Sequence, residues 1–196
     1  EDKFSLDKKG YVMSYVNRKK NNAILAGITN ENGGFLDNKF NGAFSLNENG
    51  NPTNFIGFRQ NAKLGKNELM FVSSYGSTKV STSQNSLITN IDNVNTTSFS
   101  ANLSRKELLN KKDQLIFSIS QPQRVENGRM TYLVTKLNDK DGTLNYNKYE
   151  TQLKPSGRQI DFSLDYILNL SDNMNLFFQG NLIDDYSHVE KDGFDT

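Results

Sequence analysis

The sequence predicts an all-β fold, an antiparallel up-and-down β-barrel, complete or incomplete, with about ten to twelve strands. Apolar and polar residues alternate along most of the chain, as in residues 160–168, which places the apolar side chains on one side of a strand. Turn-forming clusters such as residues 47–52 separate these segments. Each segment has about nine to eleven residues, the length of a tilted strand crossing a bilayer. The alternation also fits a soluble β-sandwich or an open barrel, and these alternatives stay open.

The composition limits the domain count and the partners. The 196 residues predict one β-barrel domain over residues 1–196, expected to be a fragment of a longer protein. A formal charge of +1 argues against nucleic acid as a partner. The absence of cysteine excludes disulfides, thiolate metal sites and a cysteine nucleophile. The mean hydropathy of -0.67 is compatible with a membrane barrel, whose strands alternate lipid-facing and lumen-facing residues.

Strands are expected throughout the chain, and residues 23–28 are ambiguous in type. The predicted segments are 4–6, 11–16, 23–28, 35–46, 54–60, 68–76, 96–105, 114–121, 129–137, 143–153, 158–168 and 174–183. Residues 8–10 are expected to form the first turn, and the four segments between 114 and 168 to form successive hairpins. Residues 77–93 lose the alternation and predict a long loop with a short helical turn at 86–91.

A membrane barrel would place amphipathic tyrosines at the two lipid-water interfaces, where the ring is buried and the hydroxyl stays wet. The candidates are Tyr11, Tyr15, Tyr75, Tyr132, Tyr146 and Tyr166. Charges at Arg59, Lys136 and Lys148 oppose this interpretation, because a charge facing lipid is costly.

No catalytic or metal-binding constellation is evident. His188 is the single histidine, and its Asp and Ser neighbours lie too close in sequence to form a triad, so an exposed loop histidine is expected. Residues 139–142 are similar to part of a calcium loop, but Leu137 and Lys148 occupy ligand positions that require oxygen donors. A hairpin turn is predicted there. The sequence therefore predicts a non-enzymatic chain without a metal or cofactor.

Two segments carry a resemblance to a known family. Residues 117–134 contain a Ser-x-Pro-x-Arg-Val-x-x-Gly pattern that includes Pro122, Arg124 and Gly128, and residues 155–161 read Pro-Ser-Gly-Arg-Gln-Ile-Asp. Both resemble the autotransporter-like β-barrel region that follows the catalytic domain in subtilisin-like (S8 family) serine proteases of Gram-negative bacteria. Elsewhere the likeness lies only in the serial alternating hairpins. The chain departs from the family in containing no catalytic domain.

The resemblance implies an anchor or translocator in the bacterial outer membrane or at the cell surface. Its partners would be the lipid bilayer, a passenger protease domain in cis and the outer-membrane assembly machinery. The alternative is a soluble, secreted or periplasmic accessory module for surface attachment or substrate binding.

The residues carried over from the matched segments have a structural rather than a chemical role. They are Pro122, Arg124, Gly128, Pro155, Gly157, Arg158 and Asp161. Arg158 and Asp161 form the best candidate for a structural link. Arg124, Arg129 and Arg158 would either line a lumen and face Glu126, Asp161 or Asp165, or be ordinary charges on a solvated face, the interpretation favoured for any one of them.

Overall fold

The regular structure consists of 13 β-strands and two short 3₁₀ turns, in a computed structural model that describes residues 8–137, 143–171 and 174–190. The strands are β1 (Lys8–Asn17), β2 (Asn22–Glu31), β3 (Gly34–Phe35), β4 (Asn38–Lys39), β5 (Asn51–Leu64), β6 (Asn67–Thr78), β7 (Ile88–Ile91), β8 (Val94–Lys106), β9 (Asp113–Asn127), β10 (Arg129–Leu137), β11 (Leu144–Gln152), β12 (Ile160–Ser171) and β13 (Met174–Asp184). The 3₁₀ turns are Gly42–Phe44 and Tyr186–His188.

Eight strands form one antiparallel sheet, here called the main sheet. Its order is β1-β2-β5-β6-β8-β9-β12-β13, so neighbours in the sheet follow each other along the chain in an up-and-down meander. The all-β, antiparallel prediction is confirmed. The sheet is open, because β1 and β13 form its two edges and no described strand pairs with their outer sides. The smaller sheets are β11-β10-β7 and β3-β4.

The two ends of the main sheet differ in the length of their connections. At one end, called the short-turn end, the strands are joined by residues 18–21, 65–66 and 107–112. At the opposite, long-connection end, residues 32–50, 79–93 and 128–159 join the strands and carry both small sheets. The additional structure of the fold is therefore concentrated at one end.

The buried apolar cluster lies at the long-connection end and not beneath the main sheet. Its fully buried members are Phe35, Leu46, Val80, Ile88, Ile91 and Val94, with Leu36, Phe40, Val125, Met130, Tyr132 and Leu153 packed against them. The rings of Phe35 and Phe40 stack with their centroids 5.4 Å apart. This cluster, called the cap, ties the three long connections together by apolar burial.

Glycine permits a close approach on one face of the main sheet. A Cβ at Gly27 would lie 2.4 Å from the Tyr11 carbonyl oxygen and 2.6 Å from the Phe55 ring. Phe55 pairs with Gly27 on one side and Gly76 on the other, so its ring covers backbone that has no side chain. Glycines in this arrangement allow a sheet to curve.

Several predicted elements differ from the observed ones. Residues 8–10 belong to strand β1 and are not a turn, and the segment at 4–6 lies outside the described residues. Residues 35–46 do not form one strand, because Leu36 and Asp37 have positive φ values of 52° and 61°, which close the β3-β4 hairpin. The predicted helical turn at 86–91 is instead strand β7 with its approach.

The predicted series of hairpins between residues 114 and 168 is also wrong in part. β10 and β11 do form a hairpin, whose expected turn at 139–142 lies outside the described residues. β9 pairs with β12, however, and β10 pairs with β7. Gly128, with φ +148°, lies at the point where the chain leaves the main sheet after β9, a conformation that favours glycine.

Candidate functional site

The main sheet has one nearly continuous apolar face. Directly opposed residues of antiparallel strands lie on the same face, and Leu103 is opposite Leu69 and Phe117, while Phe117 is opposite Leu164. Extending these rows across all eight strands defines the apolar band. Its members are Tyr11, Met13, Tyr15, Ile24, Ala26, Ile28, Ile56, Phe58, Gln60, Ala62, Leu64, Leu69, Phe71, Ser73, Tyr75, Phe99, Ala101, Leu103, Leu115, Phe117, Ile119, Phe162, Leu164, Tyr166, Leu168, Leu176, Phe178, Gly180 and Leu182.

The apolar band is open to its surroundings. Met13 is 79% exposed, Leu103 47% and Phe178 61%, and the exposed large residues occur on every strand of the main sheet. The band contains no charged residue. A monomeric soluble protein rarely exposes a contiguous apolar patch of more than a few hundred Å². An exposed apolar face extending over eight strands is therefore unusual for a soluble monomer.

The opposite, inner face is polar on the central strands. Its members there include Gly57, Ser74, Gly76, Thr96, Ser98, Ser100, Asn102, Ser118, Ser120, Asp161, Ser163 and Asp165. The Ser74 and Ser98 hydroxyls share a hydrogen bond of 2.7 Å. Apolar residues of the inner face occur mainly on the edge strands and toward the short-turn end. The central part of this face thus presents mainly small polar side chains.

The apolar band crosses the hydrogen-bonded rows of the sheet diagonally. Met13 lies in the middle of the band on β1, but the row that contains it leads to Thr97 and Arg124, which lie beyond the band on β8 and β9. From β1 to β13 the band therefore shifts toward the short-turn end. A horizontal band on tilted strands has this form, because strand tilt and register stagger are linked when a sheet curls into a barrel.

The three charged residues that argued against a lipid-facing sheet lie away from the apolar band. Arg59 pairs with Ala23 and Val72 on the inner face. Lys136 and Lys148 belong to the β10-β11 hairpin, outside the main sheet. Tyr132 and Tyr146 are in the same hairpin, outside the apolar band, whereas the other four candidate tyrosines lie on the band.

Beyond the band at the long-connection end, Arg124 is the centre of a polar junction. Its side chain is 4% exposed, and its Nε donates to the Gly157 carbonyl at 2.9 Å. Its Nη2 donates to the Pro155 carbonyl at 3.1 Å, and its Nη1 lies 2.6 Å from a Glu126 carboxylate oxygen. The planar guanidinium thereby joins β9 to the segment that precedes β12.

Arg158 reaches the same carboxylate from that segment. Its Nη2 lies 2.9 and 3.1 Å from the two Glu126 oxygens, and its Nη1 donates to the Gln121 side chain. The predicted link between Arg158 and Asp161 is therefore wrong, and Asp161 accepts instead from Gln159 at 2.7 Å. The favoured view of Arg124 as a solvated charge is also wrong, because the segment at 155–158 covers it.

The Glu126 carboxyl, beyond the apolar band, is held in its ionised form. Burial raises its pKa, but the hydrogen bond from Thr97 and the charges of the two arginines outweigh burial and leave the pKa below its usual value. A carboxyl with a lowered pKa stabilises the fold above its unfolded pKa, and this contribution is lost as the pH falls through the folded-state pKa.

His188 is buried and not exposed as expected, with 8% of its surface accessible. The Gln159 backbone N–H donates to Nδ1 at 2.9 Å, so Nδ1 carries no proton, and Nε2 donates to the Gln123 carbonyl at 3.1 Å. Both ring nitrogens are therefore bound to backbone groups. This histidine holds the segment after β13 against β9 and β12 and has no free nitrogen for acid-base chemistry.

Gly157 lies where two segments meet too closely for a side chain. A Cβ there would be 2.5 Å from the Glu190 backbone nitrogen and 2.8 Å from the Val189 carbonyl carbon. Its N–H donates to the His188 carbonyl at 2.8 Å. The matched residues Pro155, Gly157 and Arg158 thus meet Arg124 in one place.

The other three carried-over residues lie around the junction. Pro122 lies in a bulge of β9, and Gly128 ends β9 and accepts from the Leu153 N–H at 2.9 Å. Asp161 is on the inner face beyond the junction. Arg129 forms only an exposed ion pair with Glu150 at 3.4 Å.

Sequence reasoning missed four side chains that form hydrogen bonds in or next to the junction. They are Thr97, Gln121, Gln159 and His188. Gln121 and Gln159 flank Pro122 and Arg158 within the matched segments, and this position was the available signal. The contribution of Thr97 depends on the register between β8 and β9, which a bulge shifts near Thr97, and the local sequence does not give this register.

The described residues contain no group of three or more His, Cys, Asp or Glu side chains that could hold a metal ion. Neither of the two 3₁₀ turns, nor any other helical segment among the described residues, has the length and apolar character of a membrane-crossing helix. Comparisons with protein-family models, curated proteins and solved structures found no match.

Replacing Arg124 tests the polar junction. Arg124→Ala leaves the buried Gly157 carbonyl and the half-buried Pro155 carbonyl without their donor, so we expect it to lower the free energy of unfolding by about 2 kcal/mol. The matched control, Arg129→Ala, removes only an exposed ion pair and should cost less than about 1 kcal/mol. Urea unfolding of the full chain in detergent, followed by far-UV circular dichroism, measures both. Equal effects of the two substitutions would contradict the proposed geometry.

Replacing Gly157 tests the close approach of the two segments. We expect Gly157→Ala to displace residues 185–190, because the new methyl group would overlap backbone atoms. Such an overlap cannot be relieved by rotating a side chain. Gly180→Ala is the control, since a Cβ there meets nothing within 4 Å. Hydrogen exchange at the Gly157 and Gln159 amides should accelerate only in the first variant. Unchanged exchange at both amides would show that the contact is looser than described.

Proposed function

We propose that this chain is a non-enzymatic β-barrel anchor and translocator region, embedded in the outer membrane of a Gram-negative bacterium. The observation that carries the proposal is the uncharged apolar band, exposed on all eight strands of the main sheet. A lipid bilayer is the partner that covers such a face on every strand at once. The polar inner face then faces the lumen.

A soluble sandwich would cover the band with a second apolar sheet. The described small sheets do not take this position: β7 and β10 direct Ile88, Ile91, Met130 and Tyr132 into the cap at one end of the main sheet. The diagonal course of the band and the contrast between short and long connections further favour tilted spanning strands. The alternative of a soluble accessory module has no comparable support in the described residues.

Spanning a bilayer requires that every strand edge be paired, because lipid offers no hydrogen bonds to an open backbone. The proposal therefore requires β1 and β13 to pair along their outer edges, with each other or with further strands. Of the main-sheet strands, the shortest, β1 and β2, have 10 residues and the longest, β9, has 15. These lengths suffice for tilted strands that span the hydrocarbon core.

The passenger follows from the resemblance of residues 117–134 and 155–161 to the barrel region of subtilisin-like autotransporter proteases. We extend the proposal to a serine protease domain in cis, with the outer-membrane assembly machinery acting on the barrel. The chain described here would contribute attachment and export but no catalytic group. The polar junction suits this role, because it fixes the matched segments to each other.

Lipid contact can be measured directly because the chain contains no native cysteine. A fluorophore attached to Leu103→Cys should be quenched by brominated lipids in vesicles, since this side chain lies in the apolar band. The same fluorophore on Asn102→Cys, the next residue on the inner face, should be quenched several-fold less. Equal quenching at both sites, or a chain that stays folded and monomeric without detergent, would overturn the membrane proposal.

The passenger is tested separately on intact cells that carry the full-length protein. A fluorophosphonate probe, which reacts with activated serines, should label the full-length protein at the cell surface. Residues 1–196 alone should remain unlabelled under the same conditions. Failure to label the full-length protein would reject the protease passenger while leaving the membrane proposal intact.

A further inference from the structure

The short-turn end of the main sheet forms a continuous surface. Three hydrogen bonds each join the turn of one hairpin to the neighbouring strand of the main sheet: the Asn61 N–H on β5 donates to the Asn21 carbonyl, the Lys106 N–H on β8 to the Lys66 carbonyl, and the Asn169 N–H on β12 to the Lys112 carbonyl. The turns are thus held at one end of the main sheet, next to the apolar band.

This surface is strongly basic in a chain of nearly balanced charge. Residues 18–21, 65–66 and 107–112 contain six basic residues and one acidic residue, namely Arg18, Lys19, Lys20, Lys66, Lys111, Lys112 and Glu107. Lys66 is neutralised locally by Glu107, 2.6 Å away. The other five basic residues are exposed. They are called the basic collar.

The turn at 107–112 is held by hydrogen bonds and exposes two leucines next to Lys111 and Lys112. The Asp113 carboxylate accepts from the backbone N–H groups of Leu108, Leu109 and Asn110 at 2.7, 2.8 and 2.9 Å. The Tyr166 hydroxyl also donates to this carboxylate at 2.9 Å. Leu109 is consequently held outward and is 81% exposed, beside Lys111 and Lys112.

We propose that the basic collar binds the anionic headgroups of the phospholipid leaflet that surrounds the short-turn end. This inference rests on the proposed membrane function and specifies the lipid partner and the orientation of the chain. Five exposed cations lie at the end of the main sheet next to the apolar band, and the exposed Leu109 shares a turn with two of them, Lys111 and Lys112. Phosphates match the charge, and the acyl region next to them accommodates the leucine. Nucleic acid would match the charge but would leave Leu109 in water.

The test uses the full chain in vesicles of phosphatidylcholine with a minority of phosphatidylglycerol. A fluorophore on Asn110→Cys reports which brominated lipid lies near the short-turn end. Brominated phosphatidylglycerol should be enriched over brominated phosphatidylcholine roughly fivefold for each basic residue in contact. High salt should remove the enrichment, because screening weakens exposed charge pairs.

A charge-neutral variant identifies the residues responsible. A variant in which all five basic-collar residues are replaced should reduce the enrichment to near one. Its substitutions are Arg18→Gln, Lys19→Gln, Lys20→Gln, Lys111→Gln and Lys112→Gln. The matched control carries Lys136→Gln, Lys148→Gln and Lys154→Gln, at residues exposed at the long-connection end. This variant should retain the phosphatidylglycerol enrichment. Enrichment that survives in the first variant, or falls equally in both, overturns the lipid proposal.

Failure of this inference is distinguishable from failure of the proposed function. Quenching at Leu103→Cys reports membrane embedding whether or not the headgroups are selected. If that quenching persists without phosphatidylglycerol enrichment at Asn110→Cys, only the headgroup proposal is wrong. Salt-sensitive binding of a short DNA duplex to the detergent-solubilised chain, without lipid enrichment, would assign the collar to nucleic acid and overturn the proposal.

Discussion

The structure depends on one constraint, the cross-strand register of the main sheet. Because opposed residues share a face, a strand shifted by one residue would move its apolar side chains to the polar side. All eight strands keep the register that places leucine, phenylalanine and tyrosine together and serine, glycine and asparagine opposite them. A sheet with one uncovered apolar face follows directly. In the proposed function, the lipid bilayer supplies the remaining apolar contacts.

Local pattern was sufficient to predict the fold class and most strand positions. The alternation at residues 160–168 and the turn cluster at residues 47–52 are each contained within a few neighbouring residues. Because a strand has a period of two residues, such alternation indicates a strand directly. The pairing of the strands was harder to predict, because β9 pairs with β12 across the intervening residues 128–159. Nothing local distinguishes that pairing from the adjacent hairpin that was expected. The same limit applies to the junction, where residues 155–158 reach Arg124 and His188 reaches the Gln123 carbonyl from distant parts of the chain.

The location of the cap explains how an open sheet keeps a defined end. Buried apolar residues such as Leu46 and Val94 are all in, or next to, the long connections, so the conventional core is beside the main sheet and not beneath it. The cap and the polar junction fix three connections relative to one another at the long-connection end. The short-turn end relies on turn hydrogen bonds, including those to Asp113. Lateral pairing and end anchoring together hold a sheet whose apolar face is left exposed by the described part of the chain.

The bulge at Pro122 connects the apolar band to the junction. Strict alternation from Ile119 would place Gln123 on the outer side and Arg124 on the inner side. In the structure Gln121 is opposite Phe99 and Arg124 is opposite Thr97, so two residues oppose one. The extra residue turns the Arg124 side chain to the outer side, beyond the band, where the backbone at 155–157 can accept its hydrogen bonds. A proline fits here because a bulge does not require its missing N–H. The break in the pattern is therefore the feature that joins the two matched segments.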